Sequence, residues 1–457
     1  MIPQARIRYK NSLPAKDGEY VLYWMQASQR TDYNHALAYA IDESNRLGLP
    51  LIVCFGLTDH FPEAYSRHYR FMIEGLLEVK EELRNDGIRF YVHHGSPPEG
   101  AALLSESAAL LVTDRGYLRI ERAWREELLR KVSCPVVQVE SDVMVPVDET
   151  SMKEEYSAAT IRRKIERLLP EYALPLEKRT PNHSSLHLKL KGTPMTFDDP
   201  DDILGELDIR RDVPPVTEYF RGGYKEARRR LEEFIENRLE DYMALKNDPS
   251  EEKVSDLSPY LHFGQISPLE IYLSLPEYHS ESKRVFLDEL ITRRELAVNF
   301  VERNEYYDSY KAIGSFAKTT LEKHKEDDRP FLYTLEELEK GKTHDPYWNS
   351  AQLEMVHTGK MNGYMRMYWG KKIIEWTKTP EEAYDHAVYL NNKYSLDGRD
   401  PNGFAGIAWC FGKHDRPWKE RSVFGVVRYM NAKGLERKFP MKVYVEKVNL
   451  LLNKEDR

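Results

Sequence analysis

The stretch Tyr20-Val-Leu-Tyr-Trp-Met-Gln-Ala-Ser-Gln-Arg30 decides how the first third of the chain folds. Residues 20–24 are a continuous apolar run, the pattern of a strand buried on both faces. The residues after it contain no glycine. A dinucleotide-binding turn needs glycine there so that a pyrophosphate can approach the backbone. The segment therefore reads as a parallel strand without an NAD-type phosphate loop. Outward from it, 51–55, 88–92, 110–113 and 136–139 repeat the strand pattern. Amphipathic stretches separate them, such as 65–84 with Phe71, Ile73, Leu76, Leu77, Val79 and Leu83 at helical spacing. Strand and helix in alternation predict a parallel sheet covered on both faces, with right-handed crossovers.

Beyond this region the pattern changes. Seven of the 25 prolines fall between Pro170 and Pro215, where periodicity is poor, so this stretch reads as a long connection. From Tyr224 onward the pattern is mainly helical, as in 225–245, 283–303 and 361–376. The expected division is an α/β domain over 1–165, a linker over 166–222 and an all-helical domain over 223–457. No repeat and no low-complexity tract interrupts it.

With 41% hydrophobic and 31% charged residues among 457, the composition is that of a globular chain. No apolar run approaches the roughly 18–20 residues of a spanning helix, and Met-Ile-Pro-Gln-Ala-Arg-Ile-Arg at the start lacks the apolar core of a secretory signal. Cys54, Cys134 and Cys410 lie too far apart for a disulfide framework or a CxxC pair, which suits a reducing compartment. The expected location is cytoplasmic, on the nucleoid if the source is a prokaryote. No metal site is expected: HExxH is absent, and His93-His94 reads as a strand end. Gly341-Lys342-Thr343 resembles the end of a phosphate loop, but Glu336 stands where the first glycine is required, so it reads as a turn.

The net charge of -8 argues against a nucleic-acid partner. Between Arg416 and Val448, however, nine Lys/Arg face three Glu, a local +6, with Trp418, Phe424, Tyr429, Phe439 and Tyr444 interleaved. This composition suits a surface that meets phosphates and bases; it also suits a solvated helix face over ordinary core aromatics.

Four motifs carry a resemblance. They are Ser255-Asp-Leu-Ser-Pro-Tyr-Leu-His-Phe-Gly-Gln-Ile-Ser267, Lys342-Thr-His-Asp-Pro-Tyr-Trp-Asn349, Gly363-Tyr-Met-Arg-Met-Tyr-Trp369 and Leu396-Asp-Gly-Arg-Asp-Pro-Asn-Gly403. Together with Arg293-Arg-Glu-Leu296 and Tyr23-Trp-Met25, they resemble the photolyase/cryptochrome family, and within it the class II photolyases of cyclobutane pyrimidine dimers. The resemblance spans nearly the whole chain and is weakest in the linker. It implies an α/β antenna domain, an all-helical domain that holds FAD in a folded form, and light-driven repair of double-stranded DNA containing dimers. It further implies a monomer without an obligatory protein partner, and leaves open an antenna chromophore, which among family members is a deazaflavin, a folate, a flavin or none. A cryptochrome-like blue-light receptor is the alternative. Such receptors often carry an extended tail, whereas ten residues, 448–457, follow Lys447 here.

The same resemblance assigns residues. Tyr242, Ser255, Asp256, Leu257, Ser258, Glu289, Arg293, Arg366, Asn391, Asp397, Gly398 and Arg399 match cofactor contacts. Hydroxyls and turn amides at 255–258 suit an anion, although a plain helix N-cap before Pro259 would look the same. Asn391 matches the amide facing flavin N5, where it can accept or donate; by itself it reads as a helix C-cap. Arg293 stands where some relatives carry tryptophan. Trp348, Trp369 and Trp376 match an electron-transfer chain with Trp376 outermost, and the last two, seven residues apart on one helix, would lie on nearly one face about 10 Å apart. Glu289 matches a carboxyl that hydrogen-bonds the dimer, Met367 and Trp409 match residues packed against it, and Arg416 and Arg428 match supports of the DNA bubble.

Overall fold

The computed structural model describes residues 2–14 and 16–455, so the last two of the ten residues after Lys447 lie outside the described residues. A six-stranded sheet has the order β1-β6-β5-β2-β3-β4, with β1 Ile7–Tyr9, β2 Tyr20–Met25, β3 Leu51–Leu57, β4 Arg89–His94, β5 Ala108–Asp114 and β6 Val136–Val139. Every neighbouring pair is parallel except the edge strand β1, which runs antiparallel to β6. The five predicted strands are therefore present, each at its expected place. β1 was not predicted; three residues, Ile-Arg-Tyr, are too short to show a period.

Strand order reverses between β2 and β5, the place where α/β sheets usually receive a ligand. Here the amides at the end of β2 are satisfied from within. The carboxylate of Asp114, at the end of β5, accepts from the amides of Gln26, Ala27 and Ser28 at 2.8–3.2 Å. These are the amides that a pyrophosphate would otherwise engage, so the missing glycine turn has a structural counterpart.

Apolar side chains cover both faces of the sheet. Val21, Val53 and Val112 pack on one side with the helices His35–Leu47 and Ser66–Asn85. Leu22, Trp24 and Leu111 pack on the other. The helix Ala158–Tyr172 runs through both the expected boundary at 165 and Pro170, which sits in its last turn. A proline there forfeits only one ladder bond. The connection that follows is irregular apart from Pro200–Glu206, whose Ile203 and Leu204 are buried in the sheet-side core.

The rest of the described chain is helical. Two predicted helices are interrupted. The first ends at Asn237 and resumes only as Tyr242–Leu245, because Arg238 turns away to bond the Val254 carbonyl and Asp256. The second, Glu281–Leu287 continued by Arg294–Arg303, contains a π-helical stretch, Asp288–Arg293. Gly341, at φ +60°, closes the turn after Leu335–Glu339, so Gly341-Lys342-Thr343 is a helix stop. Among the described residues there is no helix long and apolar enough to cross a membrane and no cluster of three or more metal-ligating groups.

Candidate functional site

Three helices converge on Arg366. Gly363–Trp376 begins at Asn362, whose side chain accepts from the Tyr364 amide; Pro380–Tyr394 is capped by Thr379 and Pro401–Cys410 by Asp400. Arg366 donates through Nη1 to Asn391 Oδ1 (3.1 Å) and through Nη2 to Asp397 Oδ1 and Ser395 Oγ (both 3.2 Å). Burial alone would raise the Asp397 carboxyl, but Arg366 and hydrogen bonds from Ser395 and Ser258 bring it down to about 2, so it stays charged. Gly398 is required by crowding: a Cβ there would stand 2.8 Å from the Asn391 carbonyl oxygen. Arg399 takes φ +62° and donates to the Asn392 carbonyl at 2.6 Å. Asn391 is 1% exposed and lies inside its helix; Ser395 is the C-cap, which rules out the capping reading.

A second wall faces this one. Tyr242 Oη donates to Glu289 Oε2 at 2.5 Å, and Lys246 forms an ion pair with the other carboxylate oxygen. Burial and Glu289 together push the Tyr242 phenol well above its usual value, so it remains a donor. Lys246 was not singled out in the sequence, although its spacing of four from Tyr242 is a usable signal. Asn362 Nδ2 donates to the Lys246 carbonyl at 3.3 Å and ties the two walls together.

The segment 255–258 adjoins them. Asp256 has φ +58°, accepts from Arg238 at 3.1 Å and pairs with Lys360. Ser258 starts a five-residue helix whose N-cap position, Leu257, makes no side-chain cap, so neither serine serves as an N-cap. Arg230, Arg238, Lys360 and Lys447 line a cleft of about 900 Å³ beside it, and burial with these neighbouring cations pushes the Lys360 ammonium down to about 7. Arg293 stands apart: it is exposed and bonds Asp288 at 3.2 Å.

Behind Arg366, one turn along its helix, Trp369 begins a stack. Trp348 and Trp369 are parallel within 4° at 6.4 Å between centroids, and Trp376 meets Trp348 edge-on at 5.7 Å. Trp348 Nε1 donates to the Trp369 carbonyl, and Trp369 Nε1 to Gln352 Oε1. Trp348 is thus the middle member. Trp376 does not reach solvent, being 2% exposed, because Tyr333 and His344 pack over it at 5.4 and 5.2 Å.

Met367 and Trp409, on neighbouring helices, are half-buried. Farther along, the Arg416 and Arg428 guanidinium groups lie over the Trp418 ring at 5.3 and 5.0 Å. A groove of about 890 Å³ beside them is lined by Tyr364, Trp418, Arg421, Arg428, Arg437 and Lys438, among others. On the α/β side, a mainly aromatic cleft of about 800 Å³ opens at the ends of β2 and β3 among Trp24, Phe55, Phe61, Tyr69, Trp124 and Phe263.

Of the six non-glycine residues at positive φ among the described residues, Asp256 and Arg399 lie at the first site, and Val423 lies in the turn between Trp418 and Arg428, which line the basic groove. Backbone strain of this kind persists where the surroundings over-determine it, and it gathers at functional sites.

The model of the DNA photolyase family, described as DNA photolyase, matches residues 21–182. The chain is 51% identical over 454 residues to the deoxyribodipyrimidine photo-lyase of Methanothermobacter thermautotrophicus, covering 99% of this chain and 100% of that one. It is 41% identical to the enzyme of the same name from Arabidopsis thaliana, covering 95% and 89%. The chain belongs to the DNA photolyase family. Solved structures share its fold: a class III photolyase of Agrobacterium tumefaciens (TM-score 0.70, 18% identity, 96% and 87% covered) and a Synechocystis cryptochrome (TM-score 0.71, 14% identity, 93% and 88% covered). Fold alone therefore does not separate repair enzymes from cryptochromes. The sequence identities point to the former.

Proposed function

We propose that the protein is a light-dependent DNA repair enzyme of class II, which reverses cyclobutane pyrimidine dimers with FAD as its cofactor. The observation that carries this reading is the cluster of half-buried Arg366 and Asp397 with buried Asn391, and the tryptophan stack one turn behind it. The residues present fit a flavin dinucleotide. Asn391 Nδ2 is buried with only a 3.3 Å contact to the adjacent Asn392, leaving a donor for a ring nitrogen. In the cleft beside 255–258, which also holds the carboxylates of Asp256, Glu251, Glu252 and Glu354, Arg230 and Arg238 are the guanidinium groups that could meet a diphosphate.

Reduced FAD, when bound and excited by blue light, supplies the electron that opens the cyclobutane ring and takes it back afterwards. The protein does the rest. Arg366 and Asp397 would set the charge around a bound flavin, and Asn391 would offer its free amide N–H to a ring nitrogen. Glu289, held by Tyr242 and Lys246, would meet the pyrimidine carbonyls through a water molecule or once protonated, since an ionised carboxylate has no proton to give a carbonyl. Met367 and Trp409 supply apolar surface to a dimer taken out of the helix; extrusion costs least at a damaged, poorly stacked pair. Arg416 and Arg428, both over the Trp418 ring, would fill the space the dimer leaves. Trp369, Trp348 and Trp376 carry electrons toward oxidised flavin. The aromatic cleft at β2 and β3 suits a flat antenna chromophore.

Illumination decides the matter. Purified protein should show flavin absorption in the blue and remove dimers from duplex DNA in blue light but not in darkness. Flavin binding without light-dependent repair would overturn the reading in favour of a receptor.

A further inference from the structure

The loop that carries Trp418 and leads to Arg428 is strained and is held from behind. The Arg421 amide donates to the Gly425 carbonyl (2.9 Å) and the Trp418 amide to the Val426 carbonyl (2.8 Å), closing a tight hairpin over 418–426. Inside it Val423 has φ +68°, which a β-branched side chain strongly disfavours. The restraint comes from the helix Ser315–Lys323 and the turn after it. Thr320 Oγ1 accepts from the Val426 amide at 3.0 Å. Asp327 Oδ2 accepts from the Val423 amide (2.9 Å) and Ser422 Oγ (3.1 Å), and it meets His324 Nδ1 at 2.7 Å. His324 Nε2 lies 3.0 Å from Glu420 Oε1, which also accepts from Lys323 at 2.8 Å. A Cβ on Gly425 would stand 1.9 Å from Thr320 Oγ1 and 2.8 Å from His324 Cδ2, so the turn sits directly on these side chains.

We infer that Thr320, His324 and Asp327 are positioning residues for lesion recognition, holding the 418–426 hairpin in its DNA-receiving shape before DNA arrives. This rests on the reading of that surface as the DNA contact. None of the three lines the groove, so they act through the hairpin. A loop ordered in advance spares the ordering cost that binding would otherwise carry. His324 can donate to both carboxylates only when protonated. The groups facing it are Asp327 and Glu420, with Lys323 beside Glu420 and Arg329 bonded to the Asp327 carbonyl; the carboxylates prevail and raise the imidazole. A raised value means that the restraint is complete below the ordinary histidine range and is lost as pH climbs through the folded-state value. Affinity for damaged DNA should weaken over that rise.

The test is binding of the flavin-loaded full chain, in the dark, to duplexes with and without a dimer, with Arg428→Ala measured in parallel. Asp327→Ala should lose about tenfold in affinity for the dimer duplex, with the loss appearing in KM rather than kcat and with flavin content retained. Asp327→Asn, which keeps an acceptor for the Val423 amide, should recover part of it. His324→Gln should flatten the change in affinity between about pH 6 and about pH 8.5. If Asp327→Ala loses flavin through misfolding, Thr320→Val carries the same test with the smaller loss of a single hydrogen bond. Wild-type affinity in Asp327→Ala or, where that variant misfolds, in Thr320→Val, alongside a weakened Arg428→Ala, would overturn the positioning role. An unaltered pH profile in His324→Gln would overturn the titration. Wild-type affinity in Arg428→Ala would overturn the DNA surface itself.

Discussion

Glu289 shows how a single carboxylate is kept ready. Tyr242 and Lys246 occupy one oxygen each, so the side chain cannot rotate freely, yet it remains half-buried rather than sealed. Glu289→Ala should lower the repair yield per absorbed photon while flavin content stays near normal. It should also cost about 1 kcal/mol of stability, because the Tyr242 hydroxyl loses its acceptor; quantum-yield measurement and thermal unfolding on one preparation separate the two effects. Loss of flavin would instead place Glu289 in the cofactor's support. At this scale the sequence was legible only through resemblance. Arg366 and Asp397 are 31 residues apart and meet at 3.2 Å, and no spacing rule anticipates a contact made across a loop. Asn391 illustrates the converse: near a helix end it read as a cap, and burial rather than sequence shows otherwise. For Asn391→Ala, the expected outcome is retained flavin with a shifted reduction potential, read by spectroelectrochemical titration. An unchanged potential would remove the amide from N5.

Among the elements, the helix Gly363–Trp376 does two jobs on successive turns of one side. Arg366 belongs to the polar cluster and Trp369 opens the tryptophan stack, three residues on. Trp376→Phe should slow light-driven reduction of oxidised flavin strongly, since phenylalanine is far harder to oxidise. Dark DNA binding and the repair yield of chemically reduced enzyme should change little, and the apolar volume is mostly kept. If photoreduction keeps its wild-type rate while thermal stability falls, the tryptophans are packing alone. The sequence showed that these helices exist, because 3.6-residue periodicity survives tertiary context. It did not show their interruptions. The π-helical stretch Asp288–Arg293 adds one residue to a turn, which leaves composition unchanged and rotates everything beyond it. The turn after Asn237 was equally hidden, because Arg238 leaves the helix for partners many residues away.

Across the whole molecule, the net charge of -8 conceals where DNA would bind. Screening confines a charge's influence to about 10 Å at ordinary salt, so the local +6 of 416–448 governs contact with phosphate. Arg416→Ala should weaken binding and reduce the slope of log affinity against log salt by about one unit; for Arg428, lodged over Trp418, part of the loss should persist at every salt concentration. Identical slopes and affinities in both variants would take this face out of the interface. The alternation of strands and helices made the sheet readable. The long connection was not, since its buried residues, such as Ile203 and Leu204, follow the shape of the sheet's flank rather than a period of their own.

Arg67, on a sheet-side helix, reaches four backbone carbonyls of distant segments, those of Pro214, Met355, Val356 and Tyr394, while Arg399 reaches back toward His68 and Glu63. A keyed fit of this sort fixes what can be exchanged. A chimera that grafts the sheet of one relative onto the helices of another keeps the backbone carbonyls, since every sequence has them, but must also preserve the lengths that set their positions. Substitutions of residues that lend only their carbonyls should then be tolerated, those of Arg67, Arg399 or His68 much less, and single-residue insertions within the segments that present those carbonyls hardly at all.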